Sequence, residues 1–309
     1  MKNFINLKDI PAKDLRKILI DAKKRKNKRK KISTLDTDKD KPLKGKLLIQ
    51  MYEKQSSRTR LSFYIAISQL GASSITVKES ELHLGKGGES LADTAKILST
   101  YGDGFLLRTN SDKKISDFSK NLTIPIVNLL SPSSHPCQVL SDVFTVEEIM
   151  KKPISKLNIC WIGDCNNVLN SLIAASIKFD FSLNIGCPNN YSPPKFVIDW
   201  VKKNKKTINI FNDPKQAAKN ADVIFSDKVV SLNDKGNKEK KIRDFKNYKI
   251  NSELMKVTRP QSIFLHCLPR GNEVSEDVFL GNKSKVWQQA LNRVHVQKSI
   301  LLYCFGKLR

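Results

Sequence analysis

Five short groups of polar and basic residues stand out in this sequence because each directly follows an apolar run. The first group is Ser56-Ser57-Arg58-Thr59-Arg60, which follows the run 46–52 and opens a helical pattern. A helix start offers free N–H groups and the positive end of the helix dipole, and arginine can form two parallel bonds to a phosphate. The pattern predicts an anion site here, although serine is also a common N-cap.

Two further groups belong to the first half of the sequence. Arg108 ends the apolar run 104–108, and His135 and Gln138 lie at the start of a helix that begins with Pro136. A guanidinium, an imidazole and a carboxamide can all hydrogen-bond to a small carbonyl or amide group. Each also has an ordinary structural interpretation, because a strand-end arginine can reach solvent and a histidine can cap its own helix.

The second half contains two polar turns whose side chains could bind a free amino acid. Asn167 lies in the turn 164–167, and Asp227 begins the polar segment 227–232. An amide can donate to a carboxylate, and a carboxylate can pair with an ammonium group. Asparagine and aspartate also favour turns, so either group alone is weak evidence.

The fifth group is His266-Cys267-Leu268-Pro269-Arg270, at the end of another apolar run. The bond between Leu268 and Pro269 is a candidate cis peptide, since X–Pro bonds are where cis isomers occur. A buried cysteine followed by a proline that ends the strand is the plainer interpretation.

Short apolar runs alternate with amphipathic stretches along the whole chain, which predicts an α/β fold built from parallel sheets. The predicted strands are 46–52, 74–77, 104–108, 124–129, 158–163, 182–186, 207–211, 221–226 and 262–268. The predicted helices are 59–70, 90–101, 116–121, 136–151, 168–178, 194–204, 214–219, 251–257 and 288–302. Ligands bind at the carboxyl ends of strands in such sheets, which is where the five groups lie.

Composition narrows the possible classes of protein. The chain has 309 residues, enough for two domains, and 39% of them are hydrophobic. No apolar run reaches the roughly 20 residues of a membrane span, and the first residues do not resemble a signal peptide, so we expect a cytoplasmic protein without a membrane partner. Six irregularly spaced cysteines and four histidines without H-E-x-x-H spacing predict neither a disulfide framework nor a metal site.

The net charge of +25 raises the alternative of nucleic-acid binding. The densest basic run is 23–31, but lysines are scattered over the whole chain and only 7% of the residues are aromatic. Proteins that bind single strands usually combine basic residues with aromatic ones. We therefore expect no nucleic-acid partner.

Taken together, these groups resemble the motifs of the ornithine carbamoyltransferases. The matching motifs, in chain order, are S-S-R-T-R from Ser56, H-P-C-Q from His135, G-D-C-N-N from Gly163, D-x-x-x-S-L from Asp227, H-C-L-P-R from His266, and Asn292-Arg293. Aspartate carbamoyltransferases share the first motif. They carry H-P-L-P where this chain has H-C-L-P, so Cys267 distinguishes the two groups of enzymes. The resemblance extends over nearly the whole chain.

The resemblance implies two doubly wound parallel-sheet domains with a cleft between them. Residues 1–148 would be a carbamoyl-phosphate-binding domain and residues 149–288 an ornithine-binding domain. Residues 289–309 would form a C-terminal helix that returns to the first domain. The family also implies a homotrimer, or a multiple of trimers, with sites shared between subunits.

The resemblance assigns site residues to two substrates. Carbamoyl phosphate would be bound by Ser56, Ser57, Arg58, Thr59, His83, Arg108, His135, Gln138, Cys267, Leu268 and Arg293, with His83 lent to a neighbouring subunit's site. Ornithine would be bound by Asn167, Asp227, Ser231 and Leu232. The catalytic residues would be Arg58, Arg108, His135 and Cys267, with no metal and no cofactor.

The implied reaction moves a carbamoyl group from carbamoyl phosphate to the side-chain amine of ornithine. It yields citrulline and phosphate, in either the synthesis or the breakdown of arginine. We also expect the polar segment 227–247 to close over ornithine.

The sequence is also compatible with other functions. Leu232-Asn233 stands where the family carries Met-Gly, and Arg270 follows Pro269 without the usual short insert. The acceptor could therefore be putrescine, an acylated ornithine or aspartate. A non-catalytic basic protein that binds phosphate or nucleic acid is the alternative from another class. A dinucleotide-dependent dehydrogenase is disfavoured because no G-x-G-x-x-G follows a predicted strand.

Overall fold

The computed structural model describes residues 1–81, 88–230 and 237–308 and divides into two compact units. Unit 1 comprises Met1–Ser141 and Ala290–Arg309, and unit 2 comprises Asp142–Gln289. The limits of these units differ by a few residues from the predicted domain limits of 148 and 288. The predicted limits concern the functional domains and stay predictions. None of the described helices is long and apolar enough to cross a membrane.

Unit 1 contains a sheet of four parallel strands in the order β2-β1-β3-β4. Its strands are β1 (Leu47–Tyr52), β2 (Ser73–Val77), β3 (Gly104–Arg108) and β4 (Ile126–Leu130). They are connected by α2 (Ser57–Gln69), α3 (Leu91–Tyr101) and α4 (Asp112–Asn121). A parallel pair needs such a crossover, because each strand must begin again at the same end of the sheet.

Two terminal helices complete unit 1. They are α1 (Ala12–Lys28) and most of α12 (Val286–Cys304), the latter confirming the prediction of a C-terminal helix that packs on the first domain. The Lys298 ammonium on α12 donates to both carboxylate oxygens of Asp38 at 3.0 Å. The side chain of Lys298 is fully buried, so this ion pair is shielded from water and should depend strongly on its geometry.

Unit 2 contains a sheet of five parallel strands in the order β7-β6-β5-β8-β9. Its strands are β5 (Asn158–Ile162), β6 (Ser182–Gly186), β7 (Asn209–Phe211), β8 (Val223–Asp227) and β9 (Ile263–Cys267). Its helices are the C-terminal part of α5 (Pro136–Met150), then α6 (Asn167–Phe179), α7 (Lys195–Lys203), α8 (Pro214–Ala218), α9 (Lys238–Asp244), α10 (Ser252–Lys256) and α11 (Glu276–Leu280).

The predicted fold class of two parallel-sheet domains flanked by helices is confirmed, and all nine predicted strands are present. The Leu268–Pro269 bond is cis, as the sequence indicated. Three helices were not predicted. They are α1, α11 and α9, the last of which lies inside the polar segment 227–247.

Candidate functional site

Each sheet has one place where the order of its strands reverses. In unit 1 the chain adds β2 on one side of β1 and β3 on the other, and in unit 2 it adds β6 on one side of β5 and β8 on the other. Ligands of open α/β sheets bind beyond the carboxyl ends of the two strands at such a switch point. The residues that follow these strands therefore form two candidate regions, the unit 1 site and the unit 2 site.

The unit 1 site begins at the junction of β1 and α2. Ser56 is the N-cap of α2 and makes no side-chain capping bond to it, while Arg108 Nη1 donates to Ser56 Oγ at 3.0 Å. Ser57 and Arg58 in the first turn of α2 are exposed to solvent. The start of α2 therefore combines helix N–H groups, hydroxyl groups and guanidinium groups, which is the chemistry of an anion site.

The C-terminal helix supplies a second arginine to this junction. Arg293 Nη2 donates to Thr59 Oγ1 at 2.7 Å, and both residues are buried. Arg293 lies 234 positions after Thr59, so only the folding of α12 onto unit 1 brings them together. The resemblance placed both residues at one site, and the structure brings them into direct contact.

His135 and Gln138 lie at the start of α5, directly after β4, and both are buried. Burial lowers the pKa of His135 well below its ordinary value, and Arg293, Arg108 and Arg58 lower it further. His135 is therefore neutral at physiological pH. The positive charges of all three arginines thus act on one imidazole.

A cavity of about 620 Å³ lies between the start of α2 and the end of β2 and is lined in part by Tyr52, Ser56, Ser57 and Arg60. Burial raises the pKa of the Tyr52 phenol, and the nearby Arg293, Arg60 and Arg108 act against that rise. The predicted site residues include neither Tyr52 nor Arg60, although Arg60 ends the S-S-R-T-R motif. Arg60 lies one helical turn after the two serines, so it belongs to the same face of α2.

Glu53 fixes the turn that follows Arg108. Its carboxylate accepts hydrogen bonds from Thr109 Oγ1 at 2.7 Å and from the N–H of Asn110 at 2.8 Å, and it pairs with Lys114 Nζ at 2.5 Å. Burial raises the pKa of this carboxyl, but the bonds from Lys114, Asn110 and Thr109 lower it overall. The ionised carboxylate thus connects the ends of β1 and β3.

The unit 2 site is centred on Asp227, the last residue of β8. Asn166, the N-cap of α6, donates from Nδ2 to Asp227 Oδ2 at 2.8 Å while its own oxygen accepts the N–H groups of Val168 and Leu169. Burial raises the pKa of Asp227 to about 6. A carboxylate with a raised pKa at a switch point is a candidate for binding a cation.

Two other predicted residues lie at the same edge of the sheet. Asn167 is the first residue of α6, and Cys267 ends β9 in register with Asp227. His266, one position before Cys267, pairs through Nε2 with Glu273 Oε1 at 3.0 Å, which holds the chain as it leaves β9. The predicted site residues His83, Ser231 and Leu232 lie outside the described residues.

Two family models match almost the whole chain. Residues 2–148 match the model of the aspartate/ornithine carbamoyltransferase carbamoyl-P binding domain, and residues 155–304 match that of the Asp/Orn binding domain. The chain belongs to the aspartate/ornithine carbamoyltransferase family. The resemblance inferred from the motifs is therefore confirmed.

Individual relatives cover almost the whole chain. An ornithine carbamoyltransferase of Rhodopseudomonas palustris is 41% identical over 307 residues, which are 99% of this chain and 97% of the relative. One of Brucella suis is 40% identical over 98% of this chain and 96% of the relative. The solved ornithine carbamoyltransferase of Pyrococcus furiosus aligns with a TM-score of 0.91 at 35% identity, covering 100% of this chain and 98% of that one.

Proposed function

We propose that this chain transfers the carbamoyl group of carbamoyl phosphate to the side-chain amine of ornithine, giving citrulline and phosphate. The observation that carries the proposal is the cationic start of α2, where Arg108 donates to Ser56 and Arg293 donates to Thr59. These two arginines and Arg58 also lower the pKa of the buried His135. The relatives named as ornithine carbamoyltransferases support the choice of ornithine as the acceptor. The reaction belongs to either the synthesis or the breakdown of arginine.

The phosphate of carbamoyl phosphate binds at the start of α2 in this proposal. Ser56, Ser57 and Thr59 provide hydroxyl donors, and Arg58 provides a planar pair of N–H donors that matches phosphate oxygens. The exposure of Ser57 and Arg58 leaves them accessible to a ligand from solvent. Helix N–H groups and the helix dipole add to the attraction without requiring any rearrangement.

The carbonyl group of the substrate is polarised by Arg108 and His135, while Gln138 holds its amide. The neutral imidazole can donate one hydrogen bond without the cost of a buried charge. Attack on the carbonyl carbon develops negative charge on its oxygen. Fixed donors aimed at that oxygen stabilise the transition state more than the ground state, which is how oxyanion sites accelerate reactions.

Ornithine binds at the unit 2 site through its α-amino and α-carboxylate groups. Asp227 pairs with the ammonium and Asn167 donates to the carboxylate. The resemblance also assigns Ser231 and Leu232 to ornithine. It assigns Cys267, Leu268 and His83 to carbamoyl phosphate, and all five assignments are part of the proposal. A bound ammonium would favour the ionised form of Asp227 and so lower its raised pKa.

The chemical step requires a neutral amine. An alkyl ammonium has a pKa of about 10.4, and neighbouring positive charges lower that value. The neutral nitrogen attacks the carbonyl carbon, a C–N bond forms, and the C–O bond to phosphate breaks. The departing phosphate can accept the proton that the amine loses, so no protein nucleophile takes part.

We also propose that the enzyme is a cytoplasmic homotrimer, as the family resemblance implies. Exposed apolar side chains in unit 1 support an interface between copies. Leu61 and Tyr64 lie one turn apart on α2 and are 60% and 48% exposed, and Ile75 on the edge strand β2 is 50% exposed. Light scattering should give three times the chain mass of 35.0 kDa, or a multiple of that value.

A binding experiment tests the unit 1 assignment directly. Calorimetric titration with carbamoyl phosphate should show saturable binding to the unaltered protein and a loss of at least about tenfold in affinity for Arg58→Ala. Lys96→Ala is the control, because it removes a positive charge whose side chain is 76% exposed on another helix of the same unit. Equal affinity in all three proteins would contradict the assignment.

A further inference from the structure

Lys114 on α4 pairs with two carboxylates that line the cavity beside the start of α2. Its ammonium lies 2.5 Å from Glu53 Oε1 and 2.5 Å from Glu79 Oε1. Glu53 directly follows β1, and Glu79 lies two positions after the end of the neighbouring strand β2. One cation therefore connects the chain segments that leave two adjacent strands of the first sheet.

A closed ring of hydrogen bonds holds Lys114 against Glu53. The N–H of Lys114 donates to Ser111 Oγ at 3.1 Å, and the N–H of Ser111 donates to Thr109 Oγ1 at 3.1 Å. The Thr109 hydroxyl donates to Glu53 Oε2 at 2.7 Å, and the Glu53 carboxylate accepts the Lys114 ammonium. The side chains of Lys114 and Glu53 are only 23% and 5% exposed, so water screens their attraction less than it would at the surface.

Both members of this pair are charged at physiological pH. Burial acts to lower the pKa of Lys114, but the hydrogen bonds to Glu53 and Glu79 raise it overall. Burial acts to raise the pKa of Glu53, but the bonds that it accepts, led by the one from Lys114, lower it overall. The contact is therefore an ion pair between an ammonium and a carboxylate.

The charges that line the cavity are balanced without Lys114. Among the described residues of the lining, three carry a carboxylate and three carry a cation, namely Glu53, Glu79, Glu81, Lys54, Arg60 and Lys78. Ser56 and Ser57, which we propose as donors to the phosphate, line the same cavity. Lys114 is not one of these lining residues, so its charge shifts the local balance in favour of an anion.

We propose that Lys114 is a positioning residue that neutralises Glu53 and Glu79 and so strengthens the binding of the substrate's phosphate group. The inference rests on the function proposed above for the identity of that substrate, whereas inorganic phosphate tests the electrostatic effect alone. Lys114 acts through the two carboxylates and not on the reacting atoms. Its loss should therefore change the KM for carbamoyl phosphate much more than kcat or the KM for ornithine.

Removal of the Lys114 charge leaves two carboxylates unpaired beside the cavity. Thr109 and Asn110 still donate to Glu53 in that case, which favours its ionised form. A phosphate ester carries up to two negative charges near neutral pH, so each unpaired carboxylate weakens its binding by repulsion. Because the effect is electrostatic, it should become smaller as the salt concentration rises.

Calorimetric titration of the full chain with carbamoyl phosphate, and separately with inorganic phosphate, measures the effect. Lys114→Met should weaken the binding of both ligands about tenfold. Lys113→Met is the matched control on the same helix, since Lys113 pairs with Asp117 and its side chain is 83% exposed. The control removes the same charge and should keep both affinities within about twofold of the unaltered protein. Equal affinities in Lys114→Met and Lys113→Met would overturn the proposal.

Substitution of Glu79 should have the opposite effect. Glu79→Gln removes one carboxylate and leaves Lys114 paired with Glu53, so it should tighten the binding of carbamoyl phosphate about threefold. Asp117→Asn, which removes a carboxylate elsewhere on α4, is the control. The side chain of Glu79 is 42% exposed, so this variant tests the proposal even where Lys114→Met fails to fold. Unchanged or weaker binding in Glu79→Gln would contradict the proposed repulsion.

A double variant and a salt series distinguish charge from packing. Lys114→Met combined with Glu79→Gln should recover about threefold of the affinity that Lys114→Met loses, and Lys114→Arg should retain nearly all of it. The tenfold ratio between the unaltered protein and Lys114→Met should shrink to about twofold as salt rises from about 0.02 M to about 0.5 M. No recovery in the double variant, or a ratio independent of salt, would assign the loss to altered packing and overturn the proposal.

The outcomes also separate this inference from the proposed function. An unaltered protein that carbamoylates ornithine, with the same KM for carbamoyl phosphate in Lys114→Met, refutes the inference alone. An unaltered protein that forms no citrulline refutes the proposed function. In that second case, a Lys114-dependent affinity for inorganic phosphate would still support the electrostatic role of Lys114, and an affinity independent of Lys114 would overturn it.

Discussion

Asn166 Nδ2 lies 2.8 Å from Asp227 Oδ2, so a hydrogen bond spans the point at which the strand order of the second sheet reverses. The same asparagine caps α6 through its oxygen. Because both ends of its carboxamide are engaged, Asn166 fixes the start of α6 relative to the end of β8. The bond positions the carboxylate that we propose as the partner of the ornithine α-ammonium.

Activity with ornithine should depend on pH through Asp227. The pKa of this carboxyl is about 6 in the free protein, raised mainly by burial. The carboxyl gains a proton as the pH falls through 6, so kcat/KM for ornithine should fall about tenfold per pH unit below that value. The profile should be measured from pH 5 to 8. Asp227→Asn should lower the plateau and remove the dependence on this group, and an unchanged acid limb in the variant would contradict the assignment.

The raised pKa also predicts that the ionised carboxylate of Asp227 lowers the stability of the folded protein. Between its ordinary pKa near 3.9 and about 6, this group binds more protons in the folded than in the unfolded protein, so ionising it costs stability as the pH rises through that window. Asp227→Asn should therefore raise the free energy of unfolding at pH 7, on the order of 1–2 kcal/mol. Urea unfolding at pH 7 measures the difference, and a less stable variant would contradict the argument.

The hydrogen bond that Arg293 donates to the Thr59 hydroxyl group should contribute to catalysis. Thr59→Val keeps the shape of the side chain but removes the acceptor 2.7 Å from Arg293 Nη2. We expect kcat/KM for carbamoyl phosphate to fall about 10- to 100-fold, because the guanidinium loses its fixed orientation. Thr59→Ser retains the hydroxyl and should stay within a few fold of the unaltered protein. Equal losses in both variants would indicate a packing effect instead.

Removal of Asp38 should destabilise the first unit more than removal of Lys298. Asp38 accepts bonds from Lys298 at 3.0 Å, from Arg25 at 3.0 Å and from Arg29 at 2.8 Å. Asp38→Ala leaves these cations without their shared anion and should cost about 3–5 kcal/mol in the free energy of unfolding. Lys298→Met leaves Asp38 with both arginines and should cost less. Denaturant unfolding gives the order, and a larger loss for Lys298→Met would contradict it.

The strands were predictable because each is a short apolar run that ends at a turn. Helix α1 was missed because its basic residues dominate the composition, although Leu15, Ile18, Leu19 and Ala22 recur at helical spacing and are buried. Two cations of the basic run, Arg25 and Arg29, form ion pairs with Asp38. Such pairing depends on how the chain folds back after α1, which spacing alone does not reveal.

The site was predictable to the extent that its residues follow strands. The motifs identified Ser56, Arg108, His135 and Asp227, and the structure places each of them at a carboxyl end of its sheet or at the start of the next helix. The motifs did not reveal that Asn166 bonds to Asp227. That bond depends on the cap geometry of α6, which holds the Asn166 carboxamide at the end of β8.

A colorimetric assay for ureido products tests whether this chain carbamoylates ornithine. The protein would be incubated with carbamoyl phosphate and, separately, with ornithine, putrescine, acetylornithine or aspartate. We expect rapid product formation with ornithine and little or none with the other acceptors. Product from another acceptor, with none from ornithine, would contradict the assignment of the acceptor, and no product from any of them would contradict the proposed reaction.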